Sequence, residues 1–150
     1  MSVCPLIIPV VESSQVGEAR RAATQMAAEL GFDATVQGEV AIAATEAANN
    51  LVKHAQKGEI VLQAAQQPVA ELEIIAIDSG PGIANLDQCL RDGYSTAGTR
   101  GEGLGAIQRL SDAFEMYSGA DGTVILARFW NAASGIRTLP SSGGICVPYP

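Results

Sequence analysis

Residues 41–55, AIAATEAANNLVKHA, read as the body of one long helix. Val36, Val40, Ala44, Ala47 and Leu51 recur every three or four residues, the period that gathers side chains on one buried face. Glu46, Asn50 and Lys53 follow a second stripe, at spacings of four and three. Asn49 and Asn50 stand side by side in an otherwise Ala-rich segment although asparagine is a poor helix former, so something other than helix stability favours them. Helix surfaces often carry such residues only to meet water. From this helix alone the solvated face is the preferred reading; two glycine-rich segments downstream shift the balance.

Working outward, Asp33 is the expected cap of this helix. Ahead of it, Leu6 to Val11, LIIPVV, reads as a first strand, and Pro9 places it at a sheet edge. Ser13 or Ser14 is the expected cap of a helix running to Leu30 and closed by Gly31. That helix is amphipathic, with Val16, Ala19, Ala23, Met26 and Leu30 on one side and Arg20, Arg21 and Glu29 on the other. After the organising helix the chain turns at Lys57-Gly58. Glu59 to Ala65 and Glu71 to Asp78 then form a hairpin around Gln66-Gln67-Pro68, and the nearly continuous apolar run of the second strand marks it as central. Asn85 to Asp92 reads as a short helix, Gly93 to Gly103 as a polar loop and Leu104 to Ala113 as a helix. Phe114 to Ser118 and Thr123 to Trp130 close the domain as a hairpin around Gly119 to Gly122. This order predicts an α/β two-layer sandwich, a largely antiparallel mixed sheet with helices on one face, and argues against a doubly wound parallel fold. Residues 1–130 form the domain and residues 131–150 a tail or linker.

Hydrophobic residues make up 47% of the 150, charged residues 17% and aromatics 5%, so one domain with an aliphatic, Ala-rich core is expected. No apolar run approaches the roughly 20 residues of a membrane-spanning helix. Met1 to Val11 also lacks the basic start of a secretion signal, so a cytoplasmic protein away from membranes is expected. Cys4, Cys89 and Cys146 are scattered without CxxC spacing, and the chain has one histidine, which argues against a zinc site or a disulfide framework. The net charge of −7 argues against nucleic acid as the main partner. It leaves room for a nucleotide held locally by backbone N–H groups and a metal ion.

Asp78-Ser79-Gly80-Pro81-Gly82 ends the central strand. Pro81-Gly82 is a good type II turn signal, and on its own the segment is most often just a turn. Its functional reading is an anchored carboxylate that accepts a hydrogen bond from a base amine, with Gly80 and Gly82 letting backbone approach a flat ligand. Gly101-Glu102-Gly103-Leu104-Gly105 then precedes a helix, where exposed N–H groups and the helix dipole favour phosphate. No Gly-Lys-Ser/Thr follows, so this is not a P-loop, and no hydrophobic strand runs directly into it, so it is not a Rossmann fingerprint.

Glu46-x-x-x-Asn50, Asp78-x-Gly80-x-Gly82 and Gly101-x-Gly103-x-Gly105, in this order, together resemble the Bergerat-fold ATPases, which include gyrase, a heat-shock chaperone, histidine kinases and mismatch-repair proteins. The match extends from about Leu6 to Trp130. TEAANNLVKHA, IDSGPGI and DGYSTAGTRGEGLGAIQRLSDAFEMYS look closest to the anti-sigma-factor serine/threonine kinases and switch kinases of bacterial partner-switching systems. The resemblance implies ATP and Mg²⁺ as cofactors, with Asn50 as metal ligand and Glu46 as general base on the attacking hydroxyl. It implies that Asp78 reads the adenine amine beside Thr123, and that Gly93 to Gly103 forms a mobile lid to which Arg100 lends charge. Gly101, Gly103, Leu104 and Gly105 would then line the phosphate end. Lys53 meets either phosphate or only the negative end of its own helix, with equal weight. The implied partner is an antagonist protein carrying a target serine, with a sigma factor or scaffold protein as a further partner class and a homodimer allowed. The tail, SSGGICVPYP, resembles the junction to a metal-dependent serine phosphatase domain. A competing reading is therefore a non-catalytic ATP-binding regulatory domain of a larger phosphatase.

Overall fold

A computed structural model describes residues 4–55, 57–79 and 100–130, the last stretch with side chains from Gly103 onward. The expected helix at 85–92, the loop residues 93–99, Gly80, Gly82, Cys89, Cys146 and the tail 131–150 lie outside the described residues.

The organising helix, α2 (Ala34–His54), begins where expected. Asp33 is extended, and its Oδ1 accepts the Val36 N–H at 2.9 Å, satisfying one donor that the first turn leaves unpaired. Its buried stripe is Val40, Ala43, Ala44, Ala47, Ala48 and Leu51, with Asn50 the one polar residue among them. Against it packs α1 (Ser14–Glu29), which buries Ala19, Ala23 and Ala27. Alanine on both surfaces lets the two helices approach closely.

The ends of α1 differ in their agreement with sequence. Gly31, at φ 82°, donates to the Ala28 carbonyl and Phe32 to that of Ala27, both at 3.0 Å, closing the helix as expected. Neither serine caps the other end. Ser13 is already helical in backbone and makes no side-chain cap. The Gln15 side-chain carbonyl reaches back instead, accepting the N–H groups of Val11 at 2.6 Å and Glu12 at 3.1 Å.

The sheet order is β1-β2-β3-β5-β4, and every described pairing is antiparallel. The strands are β1 (Leu6–Pro9), β2 (Gly58–Ala65), β3 (Glu71–Asp78), β4 (Ala113–Gly119) and β5 (Gly122–Trp130). As expected, β3 is central and β1, with its proline, lies at an edge. β1 stops at Pro9 rather than Val11, because the Val11 N–H turns to Gln15 and its side chain to solvent. One sheet face meets the helices. There Leu62, Ile74 and Ala127 lie side by side, as do Leu72 and Phe129 in the adjoining row. Phe129 is fully buried, so its truncation to alanine costs about 3–5 kcal/mol. On the opposite face Arg128 Nε sits 3.0 Å from Glu73 and 3.5 Å from Glu71. Burial, reinforced by the neighbouring Glu73 charge and opposed by Arg128, pushes the Glu71 carboxyl above its ordinary range.

The third described helix, α3 (Arg100–Leu110), starts four residues before the predicted Leu104. Arg100, Gly101 and Gly103 are therefore helical in backbone rather than part of a loop. It ends before the predicted Ala113, because Asp112 fastens the chain to β5. The Asp112 N–H donates to the Arg128 carbonyl at 2.8 Å and its Oδ2 accepts the Trp130 N–H at 2.9 Å. Among the described residues no helix is long and apolar enough to cross a membrane.

Candidate functional site

Three polar residues are buried among those described: Asn50 at 8% exposure, Asp78 at 7% and Thr123 at 4%. All three line one open hollow between α2, α3 and the ends of β3 and β5. Burying a polar group costs free energy unless it is hydrogen-bonded, so three polar residues gathered at one hollow mark a place built for something other than packing. The remaining walls are apolar: Ala47 and Leu51 from α2, Ala76 from β3, Leu104 from α3 and Ile125 from β5.

The register explains the floor. Asp78 pairs with Thr123 across β3 and β5, so both side chains emerge on the helix-facing side at the last row of the sheet. Gly122 permits this closure. It has φ 149°, and a Cβ there would overlap the Asp78 carbonyl oxygen, so any other residue would force the two strand ends apart.

α2 supplies the opposite wall. Glu46 and Asn50, one turn apart, share a face, and α3 lies directly on it. A Cβ at Gly103 would sit 2.9 Å from Glu46 Oε2, 3.5 Å from Asn50 Nδ2 and 3.6 Å from Asn50 Oδ1. The missing side chain thus lets the first turn of α3 close against both groups, bringing the positive end of a helix to the carboxamide.

The solvated reading of this α2 face is overturned at Asn50, which is nearly enclosed. Asn50, Leu104, Asp78 and Thr123 line one cavity, and Gly103 lies against both Glu46 and Asn50; Glu46 itself is not among the lining residues. Lys53 does not join them: it is exposed on the last turn of α2 and is not among the residues lining the cavity. Gly105 lies beside Arg109, one turn along its own helix. Gly80 and Gly82 lie outside the described residues, as do the side chain of Arg100 and the lid residues 93–99; Gly101 is described in backbone only. Of the apolar walls the sequence names only Leu104 for the site; Ala47, Leu51, Ala76 and Ile125 are not singled out, although Ala47 and Leu51 belong to the stripe assigned to burial.

The Asn50 carboxamide suits a magnesium nucleotide. Asn50 Nδ2 is buried with no hydrogen-bond partner among the described residues, so the carboxamide is held at the cavity with hydrogen-bonding capacity to spare. No group of three His, Cys, Asp or Glu that could hold a metal occurs among the described residues. Mg²⁺ is a hard cation that takes oxygen ligands and keeps substrate phosphates and water among them, and the Asn50 amide oxygen is one such donor.

Comparison with known proteins places these features in a wider group. Residues 10–129 match the family described as the histidine kinase-like ATPase domain. The chain is 40% identical over 114 residues to the serine/threonine-protein kinase RsbT of Bacillus subtilis (strain 168), covering 75% of this chain and 86% of that protein. A solved structure of the RsbU and RsbW domains of a Mycobacterium tuberculosis protein matches with a TM-score of 0.58 at 21% identity, over 85% of this chain and 32% of that longer one. The mycobacterial sensor histidine kinase MprB matches with a TM-score of 0.52 at 14% identity, over 85% of this chain and 96% of the other. At such identities the two structures speak for the fold alone.

Proposed function

This chain belongs to the histidine kinase-like ATPase domain family, and from that premise we propose an ATP- and Mg²⁺-dependent protein serine/threonine kinase. It would act in a bacterial partner-switching system, on an anti-sigma-factor antagonist. The observation that carries the reading is the gathering of Asn50, Asp78 and Thr123 on one cavity, with Glu46 and Asn50 both lying against the glycine-bearing first turn of α3. The identity to a serine/threonine-protein kinase across most of that protein's length supports transfer rather than binding alone.

Each residue has a role that its chemistry suits. The Asp78 carboxylate accepts from the adenine amine, with Thr123 beside it, while the apolar walls take the faces of the base. Asn50 would hold Mg²⁺ through its amide oxygen. When bound, that ion supplies the charge neutralisation on which phosphoryl transfer depends. The first turn of α3 offers N–H groups to phosphate oxygens. Glu46 takes the proton of the attacking serine hydroxyl, whose oxygen bonds to the γ-phosphorus as the bond to the departing ADP oxygen breaks. The products are ADP and a phosphoserine on the partner.

Incubation with labelled ATP and a candidate antagonist is expected to label a serine of the antagonist. Nucleotide binding with no transfer to any antagonist would defeat the kinase reading. Glu46→Gln is expected to keep Mg-ATP affinity and lose transfer, whereas Asn50→Ala weakens the affinity itself. Equal loss of binding in both variants would show the roles to be wrongly assigned.

A further inference from the structure

The row that floors the cavity does not end at Thr123. Thr123 pairs in turn with Ser118 of β4, so Asp78, Thr123 and Ser118 run side by side across three strands. The next row is Ala76, Ile125 and Met116, and the one beyond it Ile74, Ala127 and Phe114. Only the last row before the strand ends is polar throughout. Within it Ser118 Oγ and Thr123 Oγ1 are 2.9 Å apart, and either can donate. Ser118 is partly buried and is not among the residues lining the cavity, whereas Thr123 lines it. Among the described residues, the contact through which Ser118 reaches the cavity is the threonine hydroxyl.

We propose that Ser118 is a positioning residue that favours adenine over guanine by fixing the hydroxyl of Thr123; this rests on the ATP reading above. The ionised Asp78 carboxylate can only accept. Adenine offers it the N6 amine and presents an acceptor, N1, beside that amine. Guanine in the same pose presents the O6 acceptor to the carboxylate and an N1–H beside it. A Thr123 hydroxyl that accepts from Ser118 has its own proton left to aim at the neighbouring ring position. That proton pairs with N1 of adenine and opposes N1–H of guanine. A hydroxyl released from Ser118 can rotate and accept the guanine N1–H instead, so the share of the selectivity that the threonine adds to that of Asp78 depends on the serine.

The test compares Mg-ATP and Mg-GTP binding to the full chain for wild type, Ser118→Ala and Ser118→Thr. Ser118→Ala is expected to weaken ATP roughly threefold to tenfold, the worth of one hydrogen bond, and to leave GTP unchanged or tighter. Turnover at saturating ATP and the melting temperature should hold, and Ser118→Thr should restore the wild-type ratio. If Ser118→Ala does not fold, Ser118→Cys, with its weak donor, carries the same expectation. Equal weakening of both nucleotides, or an unchanged ratio in a wild type that binds ATP, overturns the Ser118 assignment alone. A wild type that binds neither nucleotide overturns the ATP reading and this proposal with it.

Discussion

Gly103→Ala adds one methyl group at the point where α3 meets α2. The new carbon would lie 2.9 Å from Glu46 Oε2, against 3.5 and 3.6 Å from the two heteroatoms of the Asn50 amide. The first separation is inside contact distance and the other two are ordinary contacts, so the carboxylate must yield by roughly 0.5 Å or more while the carboxamide stays. Moving the end of a flexible side chain off its preferred rotamer costs about 0.5–1.5 kcal/mol. Replacing a helical glycine by alanine returns about 0.5–1 kcal/mol. The two effects nearly cancel, and the melting temperature should stay within about 4 °C of wild type.

Catalysis has no such compensation. Misplacing a reacting group by about 1 Å costs up to roughly a hundredfold, and a general base contributes about 10²–10⁴-fold. Gly103→Ala should therefore lower the transfer rate at saturating ATP by about tenfold to a hundredfold. Mg-ATP affinity should change less than about threefold, since Asn50 is only touched. Initial rates of phosphate transfer, nucleotide titrations and calorimetry on one preparation measure all three quantities. A full transfer rate at unchanged stability would refute the placement of Glu46 at the reacting hydroxyl. A rate that falls only in step with the melting temperature would show that the glycine serves packing.

Gly122→Ala should lower the melting temperature on the order of 10 °C, since the φ of 149° costs an L-residue about 1–3 kcal/mol before the overlap with Asp78 is counted. Mg-ATP affinity should fall with it, and a thermal scan with and without nucleotide checks both. Glu71 gives a pH signature. Its folded-state carboxyl titrates above the ordinary 4.5, so its stabilising contribution is complete below 4.5 and is lost as the pH rises through the folded value. Glu71→Gln should accordingly be at least as stable as wild type at pH 7, with an advantage that fades as the pH falls towards 4.5. Chemical denaturation across that range decides, and a variant less stable at pH 7 would show that the Arg128 pairing dominates. Asp33→Ala should lose about 1 kcal/mol through the missing cap without altering Mg-ATP affinity, a difference that urea titration beside a binding curve would detect.

How far the sequence reaches depends on whether local pattern and tertiary packing favour the same outcome. At α2 they agree. The 3.6-residue period and the Asp33 cap are local signals, and the sheet and α1 bury the stripe that the period defines. In the sequence Asn50 stands out against helix propensity alone; the structure adds that it is buried, and a residue kept against both preferences is held for a third reason. At α3 local pattern and packing diverge. Glycines at 101, 103 and 105 suppress helix propensity, so the first turn reads as loop, yet that turn is helical where Gly103 lies on Glu46 and Asn50. Lys53 shows the limit of spacing alone: it continues the Glu46–Asn50 stripe but lies a turn nearer the helix end, out in solvent.

Ser118 was legible in principle. Gly119 pairs with Gly122 around a two-residue turn, and counting back from that turn sets Ser118 opposite Thr123, just as counting along β5 sets Thr123 opposite Asp78. The hairpin was recognised but its register was not used. One polar row at the end of an otherwise apolar sheet face follows from the cost of burying polar groups. Interior rows must be apolar to build the core, so side chains that bind are confined to the row where the strands stop and glycine lets a helix approach closely. The same constraint locates Asn50 on α2 facing that row. The site therefore lies where the core ends, and residues distant in sequence share it because antiparallel pairing and one close helix contact bring them to the same boundary.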